Sequence, residues 1–401
     1  MNQKNSTLLI TGATHGLVHL LMLALPFITA KLLLVTPVTP GLEGLVLVLL
    51  TTPAYFIFGF GALPAGIMCD RFGPRITIAL GLLLSVCSGV ALFFLWPFGI
   101  GVIAVLFTLY AFGAGLYHPA GTTWVSNTFE KDRGKALGRH GIGGSIGQAA
   151  APLISSFILS TVIWPVFFLV LAGIGFIIAI ILLWIRKEDN YAPIQNEEIT
   201  KTKGSLFRLV TPFILMLVTI LLAARGMLYR GTVTALPFYI TFELHALLIL
   251  AGFLSTFVYI GGMIGQEIGG RLTDTYGWRS TLLYMTLLSS GALVLLSVPY
   301  SLSLWNDILL IFAIVLFGFS FFAAQAATNT MVSNLADPQT RGKLFGWSFF
   351  ARFGLGAFGI TIVGLCQVYF GSWVFGFFAM AILGLLAAVL VPLVKTRDET
   401  K

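Results

Sequence analysis

Gly66-Ile67-Met68-Cys69-Asp70-Arg71-Phe72-Gly73-Pro74-Arg75 stands between two long apolar runs. The same pattern, Gly-x-x-x-Asp-x-x-Gly-x-Arg, returns as Gly270-Arg271-Leu272-Thr273-Asp274-Thr275-Tyr276-Gly277-Trp278-Arg279, 204 residues later in a chain of 401. A short charged turn repeated at half the chain length marks a duplicated bundle of membrane helices, the plan on which secondary transporters are built. Two further pairs keep the same order. Ala24-Leu25-Pro26-Phe27 matches Ala235-Leu236-Pro237-Phe238 at an offset of 211, and Arg133-Gly134-Lys135-x-x-Gly138 matches Arg341-Gly342-Lys343-x-x-Gly346 at 208.

Composition agrees. The chain is 58% hydrophobic and 9% charged, against roughly a quarter charged in a soluble protein. The charges fall in short islands between apolar runs of about 20 residues, enough to cross a bilayer core of roughly 30 Å. Twelve spans are predicted. The first half has them at 8–30, 44–66, 76–96, 99–122, 140–162 and 164–185. The second half has them at 212–241, 246–269, 280–299, 306–328, 344–367 and 372–394. The expected fold is an all-α membrane protein of two pseudo-symmetric six-helix bundles, residues 1–185 and 206–401, joined by a polar linker at 186–205. The first apolar run lacks a cleavable signal pattern. Cys69, Cys87 and Cys366 lie in or beside apolar segments and imply no pairing.

Lysine and arginine set the orientation. Nineteen of the 23 fall on the side that carries both termini, Lys31 alone falls on the other, and Arg225, Arg230 and Arg352 lie within spans. Both termini and the linker are therefore expected in the cytoplasm, with the chain in the cell membrane. The net charge of +8 follows membrane topology, so nucleic acid is not an expected partner; the lipid bilayer is.

The turn at 66–75 resembles the signature of the major facilitator superfamily, with Pro74 where that family usually has a basic residue. Arg133-Gly134-Lys135-Ala136-Leu137-Gly138 is similar to a second motif of the same family. The resemblance spans nearly the whole chain. It implies two six-helix halves around a central cavity lined by helices 1, 4, 7 and 10, with Asp70 meeting the start of helix 11 to lock the cytoplasmic side. Tyr117-His118-Pro119, with His15, looks most like the fosmidomycin-resistance branch. The glycine-rich start of helix 5, Gly138 to Ser156, resembles a motif of proton-coupled antiporters, although Ala151, Ser155 and Ser156 replace glycines. Its small-residue face predicts close packing against helix 8.

The repeated turns read as gates. Gly66 and Gly270 suit close approach of a neighbouring helix, and Gly73 and Gly277 suit a positive φ. Asp70 and Asp274 can accept hydrogen bonds from a helix N-terminus. Arg71, Arg75, Arg279 and Arg133 are the basic residues of the same gates. Glu267 is expected to pair with Arg139 or His140, and Arg352 to snorkel or to pair with Asp70.

Ionisable groups within spans are costly and functional by default. Those left over are His15 and His19 in helix 1, His118 in helix 4, and Arg225 and Arg230 in helix 7, with Gln325 and Asn329 in helix 10. His15 and His19 share one helix face. His-x-x-x-His also fits a metal, but no carboxylate or cysteine nearby in sequence completes a shell, so no metal is expected. Histidine has an ordinary pKa near 6.5, which makes His15, His19 and His118 the candidate proton carriers where no Asp or Glu reaches mid-span. Two arginines without nearby acids point to a carboxylate or phosphate. The 211 offset maps Arg230 onto His19, which favours Arg230 as the cavity residue with Arg225 supporting it. Tyr117 and Tyr229 are candidate substrate contacts. The expected function is a secondary transporter of a small organic anion by alternating access, with protons as the candidate coupling ion and a monomer as the working unit. The alternative is a proton-coupled exporter of drug-like compounds. No catalytic cluster, cofactor motif or Gly-x-x-x-x-Gly-Lys-Ser/Thr loop is present in the sequence, so neither an enzyme nor an ATP-driven pump is expected.

Overall fold

The computed structural model describes residues 3–36, 38–129, 132–184, 212–298, 300, 304–335 and 341–394. The expected linker lies outside these residues, and the side chain of Arg133 is likewise outside the description.

A backbone in hydrocarbon has no water to bond, so each apolar segment closes its own hydrogen bonds as a helix. Eleven helices among the described residues are long and apolar enough to cross a membrane. In chain order they begin with α1 (Lys4–Val35), α2 (Glu43–Phe72), α3 (Pro74–Phe98), α4 (Ile100–Thr128), α5 (Lys135–Thr161) and α6 (Trp164–Trp184). Then come α7 (Pro212–Glu243) and a 49-residue helix, Leu248–Leu296. Last are α10 (Trp305–Leu335), α11 (Leu344–Phe370) and α12 (Val374–Leu393).

The 49-residue helix is two spans in one. At Gly277 the backbone leaves helical geometry, with φ 79° and ψ 160°; α8 precedes that kink and α9 follows it. Gly73, between α2 and α3, has φ 85° and ψ 154°. The two turns that match in sequence thus share one backbone conformation, which an L side chain rarely adopts. Counting α8 and α9 separately gives twelve spans, as expected.

Helix pairing repeats as well. In the first half α1 lies on α5, α2 on α4 and α3 on α6. In the second half α7 lies on α11, α8 on α10 and α9 on α12. Large apolar side chains such as Phe157, Ile177, Phe375 and Val389 point outward, where the surrounding medium is lipid.

Several helices are interrupted along their length. α1 breaks at Ala24, just before Pro26. α4 breaks between Gly115 and Tyr117, just before Pro119. α7 passes Pro237 and widens into a π-turn at Tyr239–Glu243. Proline removes a backbone donor and clashes with the preceding turn, which explains these three. α11 has a π-turn at Phe350–Gly354 followed by a 3-10 turn at Leu355–Ala357; it carries no proline there. Irregular backbone of this kind at membrane depth is tolerated where it is buried in protein or lines a cavity.

The two halves meet along a seam. Gln367 of α11 accepts the Gly44 N–H at 2.8 Å and donates to the Glu43 carboxylate at 3.0 Å. Thr52 and Thr361 are 3.2 Å apart. Gly59 lies directly against Gly354, and Gly252 of α8 against Pro152 and Ser156 of α5. The Gln367, Thr52–Thr361 and Gly252 contacts lie between the middle of the bundle and the face opposite the 2–3 and 8–9 turns, and the Gly59–Gly354 contact lies at about the middle.

Candidate functional site

On the turn-bearing side the halves part, leaving a cavity of about 200 Å³. One wall is His15 and His19 of α1 with Gly141, Gly144, Ser145 and Gln148 of α5. The other is Arg225 and Tyr229 of α7, Gln266 of α8, Phe321, Phe322 and Gln325 of α10, and Arg352 and Phe353 of α11. These residues sit near the middle of their helices or on the half nearer the turns, whereas the Gln367, Thr52–Thr361 and Gly252 contacts close the other half. The cavity is therefore open toward the turn-bearing face and shut toward the opposite one.

The histidine wall is built by glycine packing. Gly143 and Gly147 of α5 lie on Gly12 and Gly16 of α1. Gly144 leaves room for the His15 ring: a methyl carbon there would fall 2.7 Å from both ring nitrogens. The glycine face of helix 5 was expected against helix 8. It packs first on helix 1, and the helix 8 contact is made by Pro152 and Ser156 near the other end.

Four histidines converge at this junction. His15 and His19 have ring centroids 4.9 Å apart, His118 is 5.2 Å from His15 and 5.3 Å from His19, and His140 stacks on His15 at 4.6 Å. His15 Nδ1 is 3.3 Å from the His140 carbonyl, which can only accept, so Nδ1 carries the hydrogen and Nε2 a lone pair. His19 Nε2–H then donates to that lone pair at 3.2 Å, and Gln148 Nε2–H donates to His19 Nδ1 at 3.5 Å. A consistent set of neutral tautomers thus runs from Gln148 to the α5 backbone. His118 stands behind His15 and His19, against the Phe58 and Phe349 rings, with Nε2 buried and unpartnered.

The arginine wall is different in kind. Arg225 is buried; Nη1 donates to Thr286 Oγ1 at 2.6 Å and Nη2 to the Phe321 carbonyl at 3.3 Å. Arg352 Nη1 donates to Asn329 Oδ1 at 3.4 Å and Nε to the Ser348 carbonyl at 3.4 Å. Neither guanidinium has an acidic partner among the described residues. Tyr229 stacks on Phe321 at 4.7 Å and donates to the Tyr259 hydroxyl at 3.5 Å.

Several expected roles change. Arg225, not Arg230, lines the cavity. Arg230 is one and a half turns further along α7, so it points into the seam, over the Tyr55 ring at 4.0 Å, with Nε and Nη1 buried and unpartnered. Arg352 was expected to snorkel or to meet Asp70; the π-turn of α11 swings it into the cavity instead. Tyr117 is buried and its hydroxyl is committed to the Thr11 carbonyl, so it packs α4 on α1 rather than facing the cavity. α4 contributes no cavity-lining residue, while α5, α8 and α11 do. Glu267 bonds Arg271 at 2.8 Å on the exposed surface of α8, away from His140, which is buried on His15. Gly66 and Gly270 have open space where a Cβ would stand, so no helix approaches them here. Asp70 and Asp274 are exposed. Arg71 lies over Phe72, Arg75 has a buried Nη1 without a partner, and Arg279 donates to the Val394 carbonyl at 2.7 Å.

Gln148, Gln266, Phe353 and the place of His140 are site features that no sequence motif singled out. The signal for His140 was available: Gly12-x-x-x-Gly16 in α1 and Gly143-x-x-x-Gly147 in α5 are both small-residue stripes, the usual mark of two helices in contact.

Two proteins of similar sequence are named for transport and for multidrug resistance. The chain is 25% identical over 331 residues to a probable 4-methylmuconolactone transporter of Cupriavidus pinatubonensis, covering 80% of this chain and 75% of that one. It is 28% identical over 319 residues to multidrug resistance protein 1 of Bacillus subtilis, covering 76% and 77%. Its fold superposes on the crystal structure of a D-xylose-proton symporter with a TM-score of 0.79 at 14% identity, covering 98% of each chain. The Major Facilitator Superfamily profile matches residues 7–360. With that match across most of its length, this multi-pass membrane chain belongs to the Major Facilitator Superfamily of transporters.

Proposed function

We propose that this transporter moves a small organic anion by alternating access, and that the structure is its inward-facing state. The observation that carries the reading is the pair of acid-free guanidiniums, Arg225 and Arg352, on one wall of a cavity of about 200 Å³. Charge-assisted hydrogen bonds to carboxylate or phosphate are roughly twice as strong as neutral ones. Gln325 beside them offers both donor and acceptor. Tyr229, Phe321, Phe322 and Phe353 supply apolar surface for the rest of the solute. The relative named for 4-methylmuconolactone is in keeping with a small organic solute.

The lysine and arginine bias supports a cytoplasmic position for the turn-bearing face. Rocking the halves would close Asp70 onto the start of α11 and open the Gln367 seam, and Arg230 would then meet the solute from the other side. One chain encloses the whole cavity, so the reading needs no second copy. Coupling to protons is part of the same proposal, tested by whether an imposed pH gradient drives accumulation.

The experiment is uptake into proteoliposomes of a panel of mono- and dicarboxylates, followed by Arg225→Ala and Arg352→Ala. Each removal should weaken anion affinity by about 1.5–3 kcal/mol, on the order of 10- to 150-fold. Undiminished anion transport in both variants refutes the reading. The aromatic lining and the relative named for multidrug resistance favour a second reading, export of drug-like compounds. Under that reading Arg225→Ala spares neutral and cationic substrates.

A further inference from the structure

The chain has five histidines, and four of them meet at the junction of α1, α4 and α5; His245, in the α7–α8 turn, stands apart. One ring nitrogen from each of His15, His19 and His118 lies within 4.8 Å of the other two. We propose that these three imidazoles bind a first-row transition-metal dication, with its fourth ligand taken from the cavity.

The spacing supports this. The Nε2 atoms of His15 and His19 are 3.2 Å apart, and two nitrogens at ~2.05 Å from a tetrahedral ion are separated by ~3.3 Å. The outer contacts support it too. A metal-bound histidine usually donates its other N–H to a carbonyl or carboxylate, which fixes its tautomer. His15 does this already, with Nδ1–H on the His140 carbonyl and the Nε2 lone pair turned to His19. His19 reaches the same state by moving its hydrogen to Nδ1, where the Gln148 amide can turn and accept it. His118 brings a buried ring nitrogen that has no partner, held in place by the Phe58 and Phe349 rings. Gly144 keeps His15 on this spot by admitting its ring against the α5 backbone.

The donor set selects the ion. Three imidazoles suit zinc, cobalt, nickel or copper and do not suit magnesium or calcium, which take oxygen ligands. Three neutral imidazoles leave the dication its full charge, and no carboxylate lines the cavity among the described residues. An anionic fourth ligand is therefore favoured over neutral water. It enters on the cavity side, where His15 and His19 are open, and Arg225 and Arg352 on the facing wall favour the same sign of charge. A tripod with one open position is the plan of zinc sites that bind a further ligand.

The test is a titration of the purified full chain, without a polyhistidine tag, with Co²⁺. Loss of the octahedral water shell gives intense visible bands. One equivalent should bind, Zn²⁺ should displace it, and Mg²⁺ should not. Gln148→Leu should weaken binding 10- to 100-fold, and His118→Ala should weaken it further. His118→Cys restores a ligand and should recover binding with a new thiolate charge-transfer band, which separates ligand loss from misfolding. His245→Ala should bind Co²⁺ as the parent does, and the visible band reads metal occupancy rather than transport, so this outcome does not depend on the anion reading. Absence of a Co²⁺ band in the parent protein, an unchanged affinity in His118→Ala, or an equal loss in His245→Ala would overturn the site.

Discussion

Replacing Gly144 by alanine should be costly, although alanine is the better helix former. The new methyl would stand 2.7 Å from both nitrogens of the His15 ring. The ring has little room to retreat, with His140 stacked on it at 4.6 Å and His118 5.2 Å away. Overpacking of this kind costs about 1–3 kcal/mol, and losing the His15–His19 hydrogen bond adds about 1 kcal/mol. The helical preference of alanine over glycine returns up to about 1 kcal/mol. The net expectation is a loss of roughly 1–3 kcal/mol. Gly138 on the same helix is the control, because nothing lies within 4 Å of a Cβ built there. Gly138→Ala should be neutral or stabilising by a few tenths to about 1 kcal/mol. Equilibrium unfolding in mixed micelles, followed by tryptophan fluorescence, measures both. If Gly144→Ala is as stable as Gly138→Ala, His15 is not held against α5 as described.

Three other perturbations have defined outcomes. Gln367→Leu removes one neutral and one charge-assisted hydrogen bond from the seam, about 2–3 kcal/mol together. The equilibrium should shift toward the state open on the opposite face, read as slower modification of a Gln325→Cys probe by a polar thiol reagent from the turn-bearing side in a background lacking Cys69, Cys87 and Cys366. A faster reaction would contradict the seam's role. Asp70→Asn should reduce the transport rate at least tenfold at normal expression, since its exposed carboxylate is available to close the gate; full transport in vesicles would remove that role. Glu267→Gln breaks only an exposed i,i+4 pair, so transport and the thermal midpoint should stay as they are, within about 0.5 kcal/mol; a marked change in gating would show that Glu267 has a second partner in the other state.

The duplicated frame was legible because its signals are local. Gly73 and Gly277 need only their own turn to take a positive φ, so a ten-residue pattern reveals them. The span count followed from run length and charge for the same reason. Which side chains meet inside was much less legible, because that depends on how each helix is rotated and where it breaks. Arg225 and Arg230 differ by five positions, and only the path of α7 puts the first in the cavity and the second in the seam. Arg352 enters the cavity through a π-turn that has no proline to announce it. His-x-x-x-His looked short of ligands along the chain. The third imidazole comes from α4, about a hundred residues on, and no spacing rule could join them.

Arg230 lies in the seam with two guanidinium nitrogens unsatisfied and aromatic rings for company. Burying a cation in this way is costly, and the faces of Tyr55, Tyr229 and Phe353 offset part of that cost. In the alternating-access cycle proposed above, a tilt of the halves that admits water or solute to Arg230 would relieve the remainder, so this one charge would lean the carrier toward its other state before any cargo arrives.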